Sequence, residues 1–185
     1  LKQALLVIDA QQALIDGSDG EKSVFQKETL IENINTVITQ ARQADALLVF
    51  VRDKDVAKGE GDGFQIHADI QVPLEAHIFD KKATNSFYGT PLLSFLTAHD
   101  VKHLVIMGCA TEYCIDTAVR TATVNGFDVT LVGDGHSTPG SSTLSAEQII
   151  SHHNRILHGH YNVDHFSVVR NTGEDLFQPI HNQYR

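Results

Sequence analysis

Three residues of types that can carry covalent chemistry stand at comparable places in this chain, each beside the end of an apolar, strand-like run. Asp9 follows ALLVI, Lys81 follows AHIFD, and Cys114 follows LVIMGCATEY, where Gly108 turns the chain and a helix is expected to start near Thr111. In the first turn of a helix, unpaired N–H groups and the positive end of the dipole favour a thiolate over a thiol. A thiolate is a nucleophile, a neighbouring ammonium lowers its pKa, and a carboxylate can take and return its proton. An acid, a base and a sulfur at one edge of one sheet point to covalent catalysis.

Each residue has a plainer reading when taken alone. A lone cysteine is most often a small buried residue, an Asp after a strand a turn or cap residue, and Lys81–Lys82 a solvated turn. Cys114 departs from this because the core stripe of its helix begins at Ile115, so its side chain is expected to face the loops. Cys109 closes an apolar strand and reads as structural.

The elements that must position these residues alternate as in a parallel sheet covered on both faces. Strands are expected at 4–8, 46–51, 76–79, 103–107, 127–132 and 164–169. The first long helix, 23–44, opens on a Ser23–Gln26 capping-box pattern and carries Leu30, Ile34, Val37 and Ala41 on one stripe. A second starts with Thr90 as N-cap and Pro91 at its first position. The third presents Ile115, Ala118, Val119 and Ala122 and stops at Asn125–Gly126, and a fourth spans 145–158. Segments 52–75 and 133–143 lack periodicity and read as loops over the carboxyl ends of the strands, where α/β sheets bind ligands. The expected architecture is a three-layer α/β/α fold on a mostly parallel six-stranded sheet, Rossmann-like, with residues 1–185 forming one domain.

A net charge of −9 argues against a nucleic-acid or anionic-membrane surface. No run has the length or apolarity of a signal peptide or membrane span, and two cysteines on one turn offer no disulfide framework, so a cytoplasmic setting is expected. The chain opens on Leu1 instead of Met, and a few residues are expected to precede it. There is no GxGxxG after the first strand, no Walker A sequence and no GxSxG elbow. Phe64, in the GDGF segment, is expected to belong to a lid or an oligomer contact and to wall the pocket.

The segments LLVIDAQQALID, FDKKATNSFYGTPL and VIMGCATEYCIDTAVRTATVNGFDVTLVGD resemble, in order, the three signature blocks of the isochorismatase-like cysteine hydrolases. That family includes nicotinamidases and N-carbamoylsarcosine amidases. The resemblance implies a catalytic triad of Asp9, Lys81 and Cys114, the lysine being Lys81 because the family lysine precedes by six positions an aromatic that matches Phe87. It also implies a cis peptide from Cys109 to Ala110, an oxyanion hole from the N–H groups of Ala110 and Cys114, and a turn supported by Thr111 and Glu112. Thr111 suits a helix N-cap on its own chemistry. Gln11 and Phe87 match family positions near the substrate, and Tyr113 adjoins the nucleophile.

Nicotinamidases bind a divalent ion through an Asp-x-His motif after the second strand. This chain reads VRDKDVAKG there, with Asp53 and Asp55 but no His until His67, so neither a metal nor another cofactor is expected. The cluster His152, His153, His158, His160 and His165 is expected to be a solvated or half-buried helix face. The reading is a metal-independent hydrolase of a small amide or related C–N bond, acting through an acyl-enzyme on a small-molecule substrate, and assembled as a homo-oligomer. Two rivals remain: vinyl-ether cleavage of the isochorismatase type, against which the thiol at 114 counts, and a ligand-binding protein on the same fold.

Overall fold

The structure is a computed structural model that describes residues 2–178 and 180–185. Its sheet has seven strands in the order β3-β2-β1-β4-β5-β7-β6. They are β1 (Lys2–Ile8), β2 (Leu47–Asp53), β3 (His77–Lys81), β4 (Val101–Cys109), β5 (Asp128–Ser137), β6 (Tyr161–Asn162) and β7 (His165–Arg170). All neighbours pair in parallel except β6 and β7. The seventh strand, beyond the six expected, is the two-residue β6, too short to leave a periodic signature.

The apolar run of β1 reaches both faces because successive side chains alternate. Leu5 and Val7 pack with Leu30, Ile34 and Val37 of α2 (Lys27–Gln43). Leu6 and Ile8 pack with Leu92 and Leu96 of α4 (Leu92–Ala98), and with Ala118, Val119 and Ala122 of α5 (Asp116–Val124). Three layers follow from that alternation. The chain runs from β1 outward to β2 and β3, then returns to β4 on the other side of β1. The strand order therefore reverses between β1 and β4, and a crevice opens at their carboxyl ends.

Several boundaries differ from expectation. The first long helix begins at Lys27, and Gln26 takes a left-handed φ of 49° with no side-chain cap, so Ser23–Gln26 is not a capping box. A capping box does start α6 (Ala146–Leu157), between Ser145 and Gln148. Pro91 precedes α4, and Thr90 Oγ1 accepts from Leu92 N at 3.3 Å. The 133–143 segment is strand as far as Ser137, and 52–75 begins with the end of β2 and contains two short helical turns, Val56–Gly59 and α3 (Gly61–Phe64). Ahead of these, α1 (Gln12–Asp16) follows β1 directly.

Gly108 holds the crossing of β1 and β4 together. Its φ is +122°, and a Cβ there would stand 2.0 Å from the Ile8 carbonyl oxygen, in the strand next door. Gly108→Ala is expected to cost more than about 4 kcal/mol in urea unfolding, because strain at a special φ adds to a backbone clash. A loss below about 1 kcal/mol would mean that the two strands can separate without penalty.

Candidate active site

Register brings the site together. In the parallel pair β2–β3, Arg52 lies beside Asp80 and Asp53 beside Lys81. With a side-chain period of two, these pairs fall on opposite faces. Arg52 grips Asp80 through two bonds of 2.8 and 3.1 Å. On the other face, Lys81 turns its ammonium into the crevice, where Asp53 accepts a hydrogen bond from it. Lys81, the last residue of its strand, is buried, whereas Lys82 is exposed.

Asp9 follows β1 with a left-handed φ of 50°, a conformation Asp tolerates better than most residues. Its N–H donates to Val51 O at 2.8 Å, so the chain stays tied to β2 as it leaves the strand. Asp9 Oδ2 lies 3.0 Å from Lys81 Nζ, and Oδ1 is buried with no hydrogen-bond partner.

The peptide from Cys109 to Ala110 is cis. A π-helical turn, Thr111–Ile115, then carries Cys114 into α5, and its Sγ lies 3.3 Å from Lys81 Nζ. Tyr113 N and Ile115 N both donate to Ala110 O. Thr111 is not the N-cap: it is the first residue of the turn, fully buried, and its hydroxyl is bonded to His136. Glu112 ties the turn to the same stretch of chain, its Oε1 accepting from Thr138 Oγ1 at 2.8 Å.

The electrostatics differ from expectation at the sulfur. Burial, and then the Asp9 carboxylate, push the Cys114 thiol up to about 12, against the opposing pull of Lys81. The resting group is therefore a neutral thiol, not a thiolate. Burial likewise raises Asp9 to about 6, with Lys81 working in the opposite direction. Burial penalises the charge of Lys81, but Asp9, Cys114 and Asp53 more than offset it and hold the ammonium above its ordinary range. At neutral pH the site thus holds a thiol, a carboxylate poised to accept a proton, and a permanent cation.

Among the described residues, one set of His, Cys, Asp or Glu ligand atoms comes within 4.8 Å of one another: Asp9, Asp53 and Cys114. Lys81 Nζ is bonded or paired to all three. Its ammonium already fills the focus of the donor set, so these residues do not fit a divalent ion. His67, the next histidine along, is spoken for by Asp16 at 3.3 Å. Of the clustered histidines, His152 and His158 are exposed and His153, His160 and His165 half-buried.

A cleft of about 620 Å³ adjoins the turn, lined by Ala110, Glu112, Tyr113 and the Thr138–Ser142 loop among others. Tyr113 is 62% exposed there, whereas Cys114, its chain neighbour, is 8% exposed and does not line the cleft. Neither this cleft nor one of about 640 Å³ beside β6 and β7 is lined by Asp9, Lys81 or Cys114; the first is tied to the site through Ala110 and Tyr113 of the nucleophile turn. Phe87 packs in the same apolar cluster as Cys114 and stacks on Phe127.

Two expected substrate contacts, Gln11 and Phe64, have partners within the chain. The Gln11 amide is buried and committed to backbone, donating to Asp53 O and Phe64 O and accepting from Asp53 N. Gln11 thus fixes Asp53. Phe64 is buried beneath the Arg52 guanidinium, 4.4 Å from its ring centroid, and is not among the residues lining the 620 Å³ cleft. Asp53, read in the sequence only as one of two acids at the place of a metal motif, is the residue whose pairing with Lys81 was missed. Its signal was an acid at the end of a strand, just as at Asp9.

Comparison with known proteins bears on the family and the fold. The Isochorismatase domain family matches residues 3–150. Streptothricin hydrolase of Streptomyces noursei is 30% identical over 74% of this chain, which spans only half that relative's length. Ureidoacrylate amidohydrolase RutB of Cronobacter turicensis is 28% identical over 64% of this chain and 67% of its own. The crystal structure of an isochorismatase family protein superimposes with a TM-score of 0.81 at 29% identity, covering 91% of this chain and 98% of the other. Both the sequence match and the shared α/β/α layering thus lead to one assignment: the chain belongs to the isochorismatase family of hydrolases.

Proposed function

We propose that this chain hydrolyses a small amide or related C–N bond through a covalent acyl-enzyme, with Asp9, Lys81 and Cys114 as its catalytic residues and no metal. The observation that carries this reading is the buried Lys81 ammonium, 3.0 Å from Asp9 Oδ2 and 3.3 Å from Cys114 Sγ. The amidohydrolase named among the relatives supports the bond type.

The thiol is neutral at rest, so its proton moves to Asp9 as Sγ attacks the carbonyl carbon. Lys81 offsets the negative charge that would otherwise develop on sulfur in a dry site. The N–H groups of Ala110 and Cys114 hold the oxyanion, a contribution on the order of 3 kcal/mol per donor. Protonated Asp9 then delivers its proton to the departing amine or ammonia as the C–N bond breaks. Water, deprotonated by the same carboxylate, attacks the thioester and releases the acid and the thiol. Asp53 keeps the Lys81 ammonium in place through the cycle, and Tyr113 and Phe87 flank the substrate.

A base with a pKa of about 6 gives the rate a definite pH dependence. Acylation of Cys114 by p-nitrophenyl acetate should rise as pH passes through about 6 and then level off, because only the carboxylate form of Asp9 can take the thiol proton. In Asp9→Asn the rate should fall by roughly 10²–10⁴-fold and lose that limb. The same limb in the Asn variant would assign the titration to another group.

A further inference from the structure

A threonine hydroxyl at the start of a helix ordinarily bonds a free N–H of its own turn. Thr111 does not, and the turn has no side-chain cap. The reason lies in a buried chain of polar groups. Asn154 on α6 donates its Nδ2 to Gly133 O at 2.9 Å, which leaves its Oδ1 facing His136 Nε2 at 2.8 Å. An amide oxygen only accepts, so Nε2 carries the imidazole proton and Nδ1 is bare. Thr111 Oγ1 lies 2.8 Å from Nδ1 and must therefore donate to it. The direction of every proton in the chain is fixed from the Gly133 carbonyl outward. His136 is 3% exposed, and burial pushes it down to about 4, so the ring stays neutral.

We propose that His136 is a positioning residue: by binding the Thr111 hydroxyl at Nδ1 it holds that side chain in an orientation whose oxygen accepts from no N–H of the nucleophile turn, Cys114 N–H above all, and so keeps those groups open for the oxyanion. This rests on the acyl-enzyme reading above. Asn154 acts one step further out by fixing the tautomer.

Two reagents separate this role from a merely structural one. p-Nitrophenyl acetate acylates Cys114 through an oxyanion, whereas iodoacetamide alkylates the same sulfur without one. In His136→Leu the ratio of acylation to alkylation rates should fall by about 10–100-fold, somewhat less than deletion of an oxyanion donor, with alkylation nearly unchanged. In His136→Leu/Thr111→Val no hydroxyl is left to compete, and the ratio should return to near that of the parent. Thr111→Val alone should keep the parent ratio, and His136→Phe, which keeps a ring but no acceptor, takes the place of the leucine variant if that one does not fold. Equal loss of both rates, a double variant no better than the single, or a fall of the ratio in Thr111→Val would overturn the proposal. If the parent protein is not acylated at Cys114, it is the acyl-enzyme reading itself that fails.

Discussion

Cys114→Ala should abolish turnover, with acyl transfer down by roughly 10⁵-fold or more, because nothing else in the site can form the covalent intermediate. Residual catalysis would come only from binding and the oxyanion hole. The fold should survive, because the thiol sits at the margin of its apolar cluster at 8% exposure and removing one sulfur leaves a small void. A change within about 1 kcal/mol in chemical unfolding is expected. Activity in this variant above about a tenth of the parent rate would remove the nucleophile from the account. Cys114→Ser should be nearly as inactive, since a serine hydroxyl is a far weaker acid than a thiol and Asp9, at about 6, is a modest base.

Lys81→Met should damage both activity and stability. Its ammonium is the cation shared by Asp9 and Asp53, and its side chain is completely buried. Methionine fills similar volume but leaves two carboxylates facing one another with no cation between them. Breaking a buried ion pair from one side costs about 3–5 kcal/mol, and a comparable loss is expected here at neutral pH. The loss should depend on pH with a definite sign. Burial already lifts Asp9 to about 6 from the ordinary 3.8, and losing Lys81 lifts it further. A carboxyl whose folded pKa is raised contributes stability that is fully present below its unfolded pKa and is lost as pH rises through the folded one. The deficit of Lys81→Met relative to the parent should therefore be least near pH 4 and grow toward neutrality. A deficit that instead shrinks toward neutral pH would contradict the ion-pair assignment. Activity should fall by at least about 10³-fold, because an undispersed charge on sulfur is then added to the barrier.

The parts of the site that were legible in the sequence are those fixed by strand ends. Asp9 and Lys81 close or follow short apolar runs of strand length, and Cys114 follows a strand, a glycine and a helix start. Parallel topology then leaves little choice about which edge they share. What could not be read depends on burial and on partners remote in sequence. The helix terminus and the ammonium suggested a thiolate, yet desolvation at Cys114, with the Asp9 carboxylate beside it, outweighs the ammonium. Thr111 has the chemistry of a cap, but His136, twenty-five positions on, takes its hydroxyl. Gln11 matches a substrate contact by type, while the register of the 64–66 segment beside it turns its amide to backbone. Asp53 was visible as a strand-terminal acid, and only the pairing of β2 with β3 sets it beside Lys81.

The central claim is that the sulfur of Cys114, and not that of Cys109, becomes acylated in turnover. The most direct measurement is peptide-resolved mass spectrometry of the protein quenched in acid during reaction with p-nitrophenyl acetate. Cys109 is wholly buried, and burial drives its thiol far above the usual range, so it should stay unmodified. The account predicts an acetyl group on Cys114 that disappears as turnover finishes. An acetyl group on Cys109, or none on either sulfur while product accumulates, would contradict it.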